Sequence, residues 1–419
     1  MIHYFIKNCK EVIPIDSLAD RIRHGTAWCG RHEENHQKEE KEERMMKQLN
    51  VGVVGVGAIS DIYFSNMIDR FKNIHVISCC ARHLDHAQEK AEKYGIQACT
   101  YEEMLKNPEI DIVVVLTGVG AHYELIRDAL EHGKHVFTEK TMTLRLEEAR
   151  ELSEFAEKKS LYFCSAPETF LGAAFQTGRK AIEEGMLGEI YSFHISENRA
   201  LDFLAAAVGF LRQPGGGLCQ DYGVYYLTAL CSLFGGVNHV YAVSRNNKRI
   251  RINPISNHPD FGKEYIYDND SQVAAVISMR NGMTGTFALH GDSAMSDLGD
   301  FMIYGTQGIL KLSDANQFGG ETTFIPLLSG IVPNTGSEVL PAVSPFVEDS
   351  RGIGVSEMAD AILKGRKSRL DHGFAYHVFE VIDAINGFGK DGGEKKIFSP
   401  CERPAGFSCP AEWAGMLDE

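Results

Sequence analysis

The stretch LNVGVVGVGAISDIYF, Leu49 to Phe64, indicates which fold the chain adopts. Apart from its glycines, Val51–Val56 consists of valine, which is typical of a parallel strand buried on both faces. Two of the glycines, Gly55 and Gly57, end this run, and helix-compatible apolar spacing then covers Ile62–Ile68. Strand, glycine turn and helix in this order predict the first unit of a nucleotide-binding α/β sheet.

The glycine turn has the chemistry of a pyrophosphate site. A G-x-G-x-x-S pattern between a strand and a helix brings backbone N–H groups against the phosphates of a dinucleotide. Gly55 permits the tight turn, Gly57 lets the cofactor approach, and Ser60 lets helix and strand pack closely. We therefore predict that Gly55, Gly57, Ala58 and Ile59 bind a dinucleotide. The alternative is a glycine turn without a ligand.

Strand and helix signals keep alternating through the first part of the chain. Apolar runs at Ile74–Cys80 and Ile110–Leu116 predict strands, and amphipathic segments at Leu84–Tyr94 and His122–His132 predict helices. A short strand is expected at His135–Thr138. This alternation predicts an α/β fold with a doubly wound parallel sheet.

The pattern changes at about Glu168, where strand-like runs follow one another with few helices between them. These runs are Glu189–Ser196, Val240–Arg245, Gln272–Met279, Met283–His290 and Asp300–Leu312. Two further helices are predicted, at Gly223–Phe234 and Gly354–Leu363. We predict a Rossmann domain over residues 47–167. Residues 168–419 are expected to form an α+β domain on an open, mostly antiparallel sheet, which binds substrate and mediates oligomerisation.

Composition narrows the class of protein. The chain has 419 residues, of which 44% are apolar and 24% charged, as is usual for soluble globular proteins. A formal net charge of -15 argues against a nucleic-acid partner, because phosphate binding needs clustered lysine and arginine. No apolar run reaches the roughly 18 residues of a membrane helix, and the N-terminus lacks the apolar core of a signal peptide. We expect a small-molecule partner and no membrane.

Ten cysteines are scattered through the sequence without a C-x-x-C pair. This argues against a metal site or a redox dithiol and favours a reducing, cytoplasmic location. The charge run RHEENHQKEEKEERMM, Arg31–Met46, has no apolar face. Residues 1–46 are therefore predicted to be a poorly ordered extension that adds nothing to the chemistry.

The end of the second predicted strand reports on the nicotinamide cofactor. An acidic residue there hydrogen-bonds the adenosine ribose, whereas an arginine accommodates a 2'-phosphate. The sequence has Ala81 and Arg82 where an Asp would be expected. Arg82 therefore favours NADP over NAD, the alternative being a surface arginine without a ligand.

Two more clusters carry candidate catalytic groups. Glu139 and Lys140 follow the strand signal HVF directly, at the edge where open α/β sheets bind their ligands. In GGGLCQDYGVYYLTAL, Gly215–Leu230, a triple glycine precedes a helix on which Asp221 and Tyr225 are four residues apart and share a face. The alternative for Glu139 and Lys140 is ordinary surface charge. The alternatives for Asp221 and Tyr225 are a helix-capping carboxylate and a buried core tyrosine.

The order of these motifs, a glycine-rich turn, then HVFTEK, then GGGLCQDYGVYY, resembles the Gfo/Idh/MocA oxidoreductases. This is the family of glucose-fructose oxidoreductase and inositol dehydrogenase, and the likeness runs from about Met46 to the C-terminus. It implies a nicotinamide-dependent enzyme acting on a secondary hydroxyl of a sugar, polyol or glycoside. Two departures stand out: Thr141 replaces the family's usual proline after Glu-Lys, and Tyr225 replaces a frequent catalytic histidine.

The resemblance also implies roles for residues. Tyr225 would be the proton carrier, and Lys140 would polarise the substrate oxygen and lower the pKa of Tyr225. Asp221 would orient the sugar hydroxyls or the lysine, and Glu139 would bind the nicotinamide ribose. Other expected cofactor contacts are Thr117 and His122, while Glu168 and Thr169 are candidate substrate contacts.

Two other functions remain open. Transient oxidation of a sugar carbon would also permit elimination, making the chain a redox-assisted glycosidase or a glycoside 3-dehydrogenase. A non-catalytic cofactor-binding regulator is the alternative from another class. The loops Arg199–Gln213 and Asn247–Asp270 are expected to set specificity. We also expect a homo-oligomer, a dimer or tetramer, because the exposed face of the second sheet would be an apolar liability in a monomer.

Overall fold

The computed structural model describes residues 48–296, 298–327 and 336–417. The predicted extension, residues 1–46, lies outside these residues. The described residues from Gln48 onward form one unit, so the domain division at residues 167/168 stays a prediction.

The first sheet has six parallel strands in the order β3-β2-β1-β4-β5-β6. The strands are β1 (Leu49–Val54), β2 (Ile74–Cys80), β3 (Gln97–Ala98), β4 (Ile112–Val115), β5 (His135–Thr138) and β6 (Phe163–Ser165). The helices are α1 (Ser60–Asp69), α2 (Leu84–Tyr94), α3 (Tyr101–Lys106), α4 (His122–Glu131) and α5 (Leu146–Lys159). The strand order reverses at β1, which opens a crevice between β1 and β4 at their carboxyl ends. The predicted doubly wound sheet is confirmed.

Burial explains why these segments form strands and helices. All four residues of β4 are buried, as expected for a central parallel strand. Helix α2 has the predicted bounds and ends at Gly95, whose left-handed φ of 67° suits a glycine cap. Helix α3 begins at Thr100, which forms a capping box with Glu103.

The second sheet has nine strands in the order β16-β15-β14-β13-β7-β12-β11-β8-β17. Its strands are β7 (Ile190–Asn198), β8 (Val237–Arg245), β11 (Gln272–Met279), β12 (Thr284–His290), β13 (Asp300–Gly305), β14 (Gly308–Leu312), β15 (Thr323–Pro326), β16 (Glu338–Val339) and β17 (Gly393–Lys396). Strands β9 (Ile250–Ile252) and β10 (Glu264–Ile266) form a separate ribbon. Only β7 and β12 pair in parallel, so the predicted mostly antiparallel sheet is confirmed.

Helices accompany the second sheet in greater number than predicted. They are α6 (Ala173–Glu183), α7 (Leu201–Ala207), α8 (Val224–Phe234), α9 (Ile353–Lys364), α10 (His372–Gly387) and α11 (Pro410–Trp413). The prediction of few helices missed α6, α7, α10 and α11. The segment of α10 is rich in aromatic and β-branched residues, which favour strands, and its packing against α5, α8 and β8 overrides that preference.

Two predicted boundaries are corrected. The single run Asp300–Leu312 is two strands, because the chain reverses at Thr306 and Gln307. The helix expected to begin at Gly223 is preceded by a π-helical turn, Cys219–Gly223, which runs directly into α8.

The end of the chain returns to the first sheet. Helix α9 packs against α1, β2, β5 and β6, and α10 packs against α5 and β6 as well as β8. The segment 349–352 before α9 is tied to α1, since the Asn66 side-chain amide donates to the carbonyls of Asp349, at 2.9 Å, and Arg351, at 2.8 Å. Residues distant in sequence are thereby brought to the carboxyl edge of the first sheet.

Candidate active site

A cavity of about 1210 Å³ opens at the carboxyl ends of β1, β2 and β4. Of the residues predicted to bind the cofactor, its wall contains Gly55, Gly57, Arg82 and Thr117. Gly55 has a φ of +99°, and a Cβ there would lie 2.9 Å from the Leu116 carbonyl carbon, so only glycine fits this turn. At Gly57 a Cβ would meet no atom within 4 Å, so the missing side chain leaves open space for a ligand.

The residues present fit a dinucleotide. The Thr117 hydroxyl is buried and has no hydrogen-bond partner among the described residues. A buried polar group without a partner is costly, and Thr117 belongs to the wall of the cavity in which a cofactor would lie. The cavity also has the volume that a cofactor of this size needs.

Other predicted cofactor contacts lie outside the cavity wall. Ala58 and Ile59 are exposed at the start of α1. His122 is fully buried, with Nδ1 2.9 Å from the Thr141 carbonyl and Nε2 3.0 Å from the Thr117 carbonyl. Burial lowers the pKa of His122, although these carbonyls act in the opposite direction. In this structure His122 holds two loops together.

The second half of the chain completes the cavity. Phe210, Gln213, Pro214 and Gly216 contribute to its wall. The loop expected to set substrate specificity, Arg199–Gln213, therefore also borders the cofactor cavity.

Lys140, Asp221 and Tyr225 meet past the carboxyl end of β5, and none of them is part of the cavity wall. Glu139, also predicted to bind the cofactor, is not in the wall either. Lys140 follows β5, Asp221 lies in the π-helical turn and Tyr225 in the first turn of α8. The Lys140 ammonium is hydrogen-bonded to the Asp221 carboxylate and, at 3.0 Å, to the Asp221 carbonyl. The same ammonium lies 5.4 Å from the centroid of the Tyr225 ring. The structure thus brings together the three residues predicted to be catalytic.

Thr141 follows Lys140 at the position where the family usually has proline. The Lys140–Thr141 peptide bond is cis, and Thr141 is buried. Its hydroxyl accepts a hydrogen bond from the Gln220 amide at 3.2 Å and donates to the Thr143 carbonyl at 3.2 Å.

The protonation of this cluster departs from the sequence hypothesis in one respect. Burial lowers the pKa of Lys140, but Asp221, Tyr225 and Glu139 outweigh burial and raise it overall. Burial raises the pKa of Tyr225, and the Lys140 charge opposes this without reversing it. The sequence hypothesis correctly states that the Lys140 charge acts to lower the Tyr225 pKa. It is wrong about the resulting pKa, which is raised because burial has the larger effect.

Arg351 is a charged neighbour of Tyr225 that the sequence hypothesis did not include. Its positive charge lowers the pKa of Tyr225 and its side chain is 14% exposed. The guanidinium donates to Asp349 at 2.6 Å and to Asn316 at 3.1 Å. Arg351 lies three residues before the predicted helix Gly354–Leu363, and this position alone assigned it no role.

Glu139 is held by neighbours from other parts of the chain. The Tyr63 hydroxyl donates to Glu139 Oε1 at 2.7 Å, and the backbone N–H of Lys140 donates to Oε2 at 3.1 Å. Glu168 lies on the other side of Tyr63 and is 1% exposed. Tyr63 was not predicted, although it belongs to the stretch that decides the fold.

Comparison with known proteins fits this geometry. Residues 49–166 match the oxidoreductase family with an NAD-binding Rossmann fold, and residues 175–311 match the GFO/IDH/MocA C-terminal domain. The chain belongs to the Gfo/Idh/MocA oxidoreductases. Membership in this family makes it a nicotinamide-dependent oxidoreductase, as its relatives' names also indicate.

Two relatives illustrate the range of the Gfo/Idh/MocA oxidoreductases. Trans-1,2-dihydrobenzene-1,2-diol dehydrogenase from Bos taurus is 27% identical over 270 residues, covering 64% of this chain and 74% of its own. The uncharacterised oxidoreductase YhhX from Escherichia coli is 28% identical over 279 residues, covering 66% and 77%.

Solved structures share the fold. Levoglucosan dehydrogenase in complex with NADH has a TM-score of 0.72 at 19% identity, over 84% of this chain and 100% of that one. An NAD-binding oxidoreductase from Klebsiella pneumoniae has a TM-score of 0.70 at 19% identity, over 84% and 99%.

The described residues contain neither a membrane-crossing helix nor a metal-binding cluster of side chains. Within residues 48–296, 298–327 and 336–417, no helix combines the length and apolarity that crossing a bilayer requires. The same residues contain no group of three or more His, Cys, Asp or Glu side chains placed to hold a metal ion.

Proposed function

We propose that the chain transfers a hydride between a nicotinamide and a secondary hydroxyl or carbonyl of a sugar, polyol or glycoside. The observation that carries this proposal is the Lys140 ammonium, which binds Asp221 and lies against Tyr225 just past the carboxyl end of β5. The names of two relatives agree with it, since levoglucosan is an anhydrosugar and a dihydrobenzenediol carries adjacent hydroxyls.

The cofactor would be held by the glycine turn and Thr117. Gly55 and Gly57 bring backbone N–H groups to the start of α1, where the helix dipole favours phosphate. The nicotinamide supplies the chemistry of hydride transfer. Glu139, fixed by Tyr63, is the residue we assign to its ribose.

Lys140 and Tyr225 handle the substrate oxygen and its proton. The raised pKa of Tyr225 keeps the phenol protonated at neutral pH, which suits a proton donor to a carbonyl oxygen during reduction. In the oxidation direction Tyr225 accepts the hydroxyl proton once it is ionised, and the positive charges of Lys140 and Arg351 favour that form. Asp221 fixes the lysine and leaves its carboxylate edge for sugar hydroxyls.

NADP is the cofactor that we favour over NAD. Arg82, Lys90 and Lys93 line one end of the cavity together with Glu89, so positive charge predominates there. Lys90 is already paired with Asp61 at 2.8 Å, whereas Arg82 pairs with no carboxylate among the described residues. A guanidinium in this position suits a 2'-phosphate.

A sugar and polyol panel, followed at the absorbance of the reduced nicotinamide, tests the function. Stoichiometric reduction of NAD or NADP is the expected result. Cleavage of a glycoside with only catalytic cofactor would favour the redox-assisted glycosidase instead. Tight NADH binding with no turnover on the whole panel would favour the non-catalytic regulator.

We further propose that copies of the chain pair through the open face of the second sheet, as a dimer or tetramer. Strands β8 and β11 alternate buried and exposed residues, and Tyr241, Val243 and Val276 make the exposed face apolar. Light scattering of the wild type and of Val276→Lys tests this, with a smaller particle expected for the variant.

The eight free cysteines among the described residues support a reducing, cytoplasmic compartment.

A further inference from the structure

Two carboxyl groups converge on one buried phenol beneath the candidate catalytic cluster. Tyr63 of α1 is fully buried, and its hydroxyl lies 2.7 Å from Glu139 Oε1 and 3.4 Å from Glu168 Oε2. The other Glu168 oxygen, Oε1, accepts the backbone N–H of Gly352 at 2.6 Å. We call Glu139, Tyr63 and Glu168 the carboxyl bridge.

The carboxyl bridge joins the two segments that carry the positive charges around Tyr225. At one end Glu139 accepts the backbone N–H of Lys140. At the other end Glu168 holds Gly352, the residue directly after Arg351. Any change in the bridge is therefore transmitted to both cations that face Tyr225.

Hydrogen counting assigns the proton on this bridge. A tyrosine hydroxyl has one hydrogen, and Tyr63 donates it to Glu139, the nearer carboxylate. Tyr63 cannot also donate this hydrogen fully to Glu168 Oε2, 3.4 Å away, so a hydrogen bond across this longer contact forms only if Glu168 is protonated and donates to the Tyr63 oxygen. An ionised Glu168 would instead set its charge against the lone pairs of the phenol.

The surroundings of Glu168 favour this neutral form. Burial, together with the negative charge of Glu139, raises the pKa of Glu168 to about 8. Gly352 and Arg351 act in the opposite direction, and Asp349 in the same direction as Glu139. Glu139 faces Glu168 from the end of β5, and Tyr63 faces it from α1. Asp349, Arg351 and Gly352 face it from the segment before α9.

Close packing keeps water away from the carboxyl. A Cβ placed on Gly354, in the first turn of α9, would lie 2.9 Å from Glu168 Oε2 and 2.6 Å from the Phe137 ring. The carboxyl is thus enclosed by helix backbone and an aromatic ring. Its hydrogen-bonding partners are the Tyr63 hydroxyl and the backbone N–H of Gly352.

We propose that protonated Glu168 is a positioning residue, which through Tyr63 orients Glu139 toward the cofactor and through Gly352 fixes Arg351 beside Tyr225. The proposal rests on the proposed function and adds a residue to it. Loss of the Glu168 proton at alkaline pH breaks the contact with Tyr63 and loosens both ends of the bridge.

The test compares the wild type with Glu168→Gln, a neutral side chain of the same shape that can still donate to Tyr63 and accept from Gly352. Tyr63→Phe removes the central hydroxyl, and Glu92→Gln, exposed on α2, is the matched control. The measurements are kcat/KM from pH 6 to 10, the dissociation constant of NADH over the same range, and infrared absorption of protonated carboxyl groups.

The expected result is a ratio of kcat/KM, Glu168→Gln over wild type, that rises about tenfold between pH 7 and 9 while the control ratio stays flat. Using a ratio cancels the titration of Tyr225. A protonated-carboxyl band should disappear in the wild type as the pH rises past about 8 and be absent from Glu168→Gln. Tyr63→Phe should lower kcat about tenfold below pH 8, where the wild-type bridge is intact, and by less at higher pH, where the wild-type bridge is already broken.

A ratio that stays flat in an enzyme that turns over, or a wild type without the infrared band, would overturn the inference and leave the proposed function standing. A wild type that binds NADH but turns over no sugar would defeat the proposed function alone. In that case the inference is decided by the NADH dissociation constant, which should rise with pH in the wild type and not in Glu168→Gln.

Discussion

Replacing Lys140 by methionine keeps the length of the side chain and removes its charge. At an effective dielectric constant of about 20, two unit charges 5.4 Å apart interact by about 3 kcal/mol, with the ring centroid standing for the Tyr225 phenolate. That energy corresponds to about two units in the Tyr225 pKa. The Asp221 carboxylate on the same ammonium offsets part of it. We expect kcat/KM for oxidation to fall about 100-fold and its rising limb to move at least one unit toward alkaline pH.

The variant must also be checked for folding. Lys140→Met leaves the Asp221 carboxylate without its ammonium, and a buried charge that loses its partner costs about 3–5 kcal/mol. Because the Asp221 side chain is 21% exposed, we expect the lower end of that range. The double variant Lys140→Met/Asp221→Asn removes both charges and should recover most of the lost stability without recovering activity.

The two readouts separate chemistry from structure. NADH binding and the thermal midpoint report on folding, and the pH profile of kcat/KM reports on Tyr225. If Lys140→Met keeps kcat/KM within a few-fold of the wild type, with the rising limb unmoved, the assignment of Lys140 and Tyr225 to one reacting centre is wrong.

Three further outcomes are expected. Arg82→Glu should raise the KM for NADP at least tenfold and leave that for NAD within about threefold, as steady-state kinetics with both cofactors would show; equal effects on the two would contradict a 2'-phosphate contact. Gly57→Val should abolish NADH fluorescence enhancement without changing the thermal midpoint, because its side chain enters open space; retained binding would place the cofactor elsewhere. Because the pKa of Glu168 is raised from 4.5 to about 8, the wild type should lose stability as the pH rises through that window. In urea unfolding, the free energy of unfolding of Glu168→Gln should therefore gain a few kcal/mol relative to the wild type between about pH 5 and 8. A difference that does not vary with pH would mean that Glu168 is ionised throughout.

Local signals in the sequence located four of the six strands of the first sheet and missed the short strands β3 and β6. The valines of β1, the run around β4 and Gly95 at the end of α2 each act through neighbours only a few residues away, so periodicity and cap chemistry located them. The predicted meeting of Lys140 with Asp221 and Tyr225 rested on the family resemblance together with local position, at a strand end and on one helical face.

The surroundings of the site could not be predicted in the same way. Tyr63, Glu168 and Arg351 are brought together only by the packing of α1 and α9 against the first sheet, and no spacing in the sequence encodes that contact. The net pKa of Tyr225 depends on how deeply it is buried, which the sequence does not specify. For α10, packing on both sides outweighed a composition that favours strands.

Helices α9 and α10 lie near the end of the chain but cover strands β5 and β6 of the first sheet. During synthesis on the ribosome, the nucleotide-binding half therefore emerges early and stays incomplete until almost the whole chain has been made. A fragment that stops at residue 167 would leave the buried residues Phe137 and Phe163 uncovered by these helices. A premature stop codon far from the glycine turn would thus destabilise the nucleotide-binding sheet without changing the turn itself.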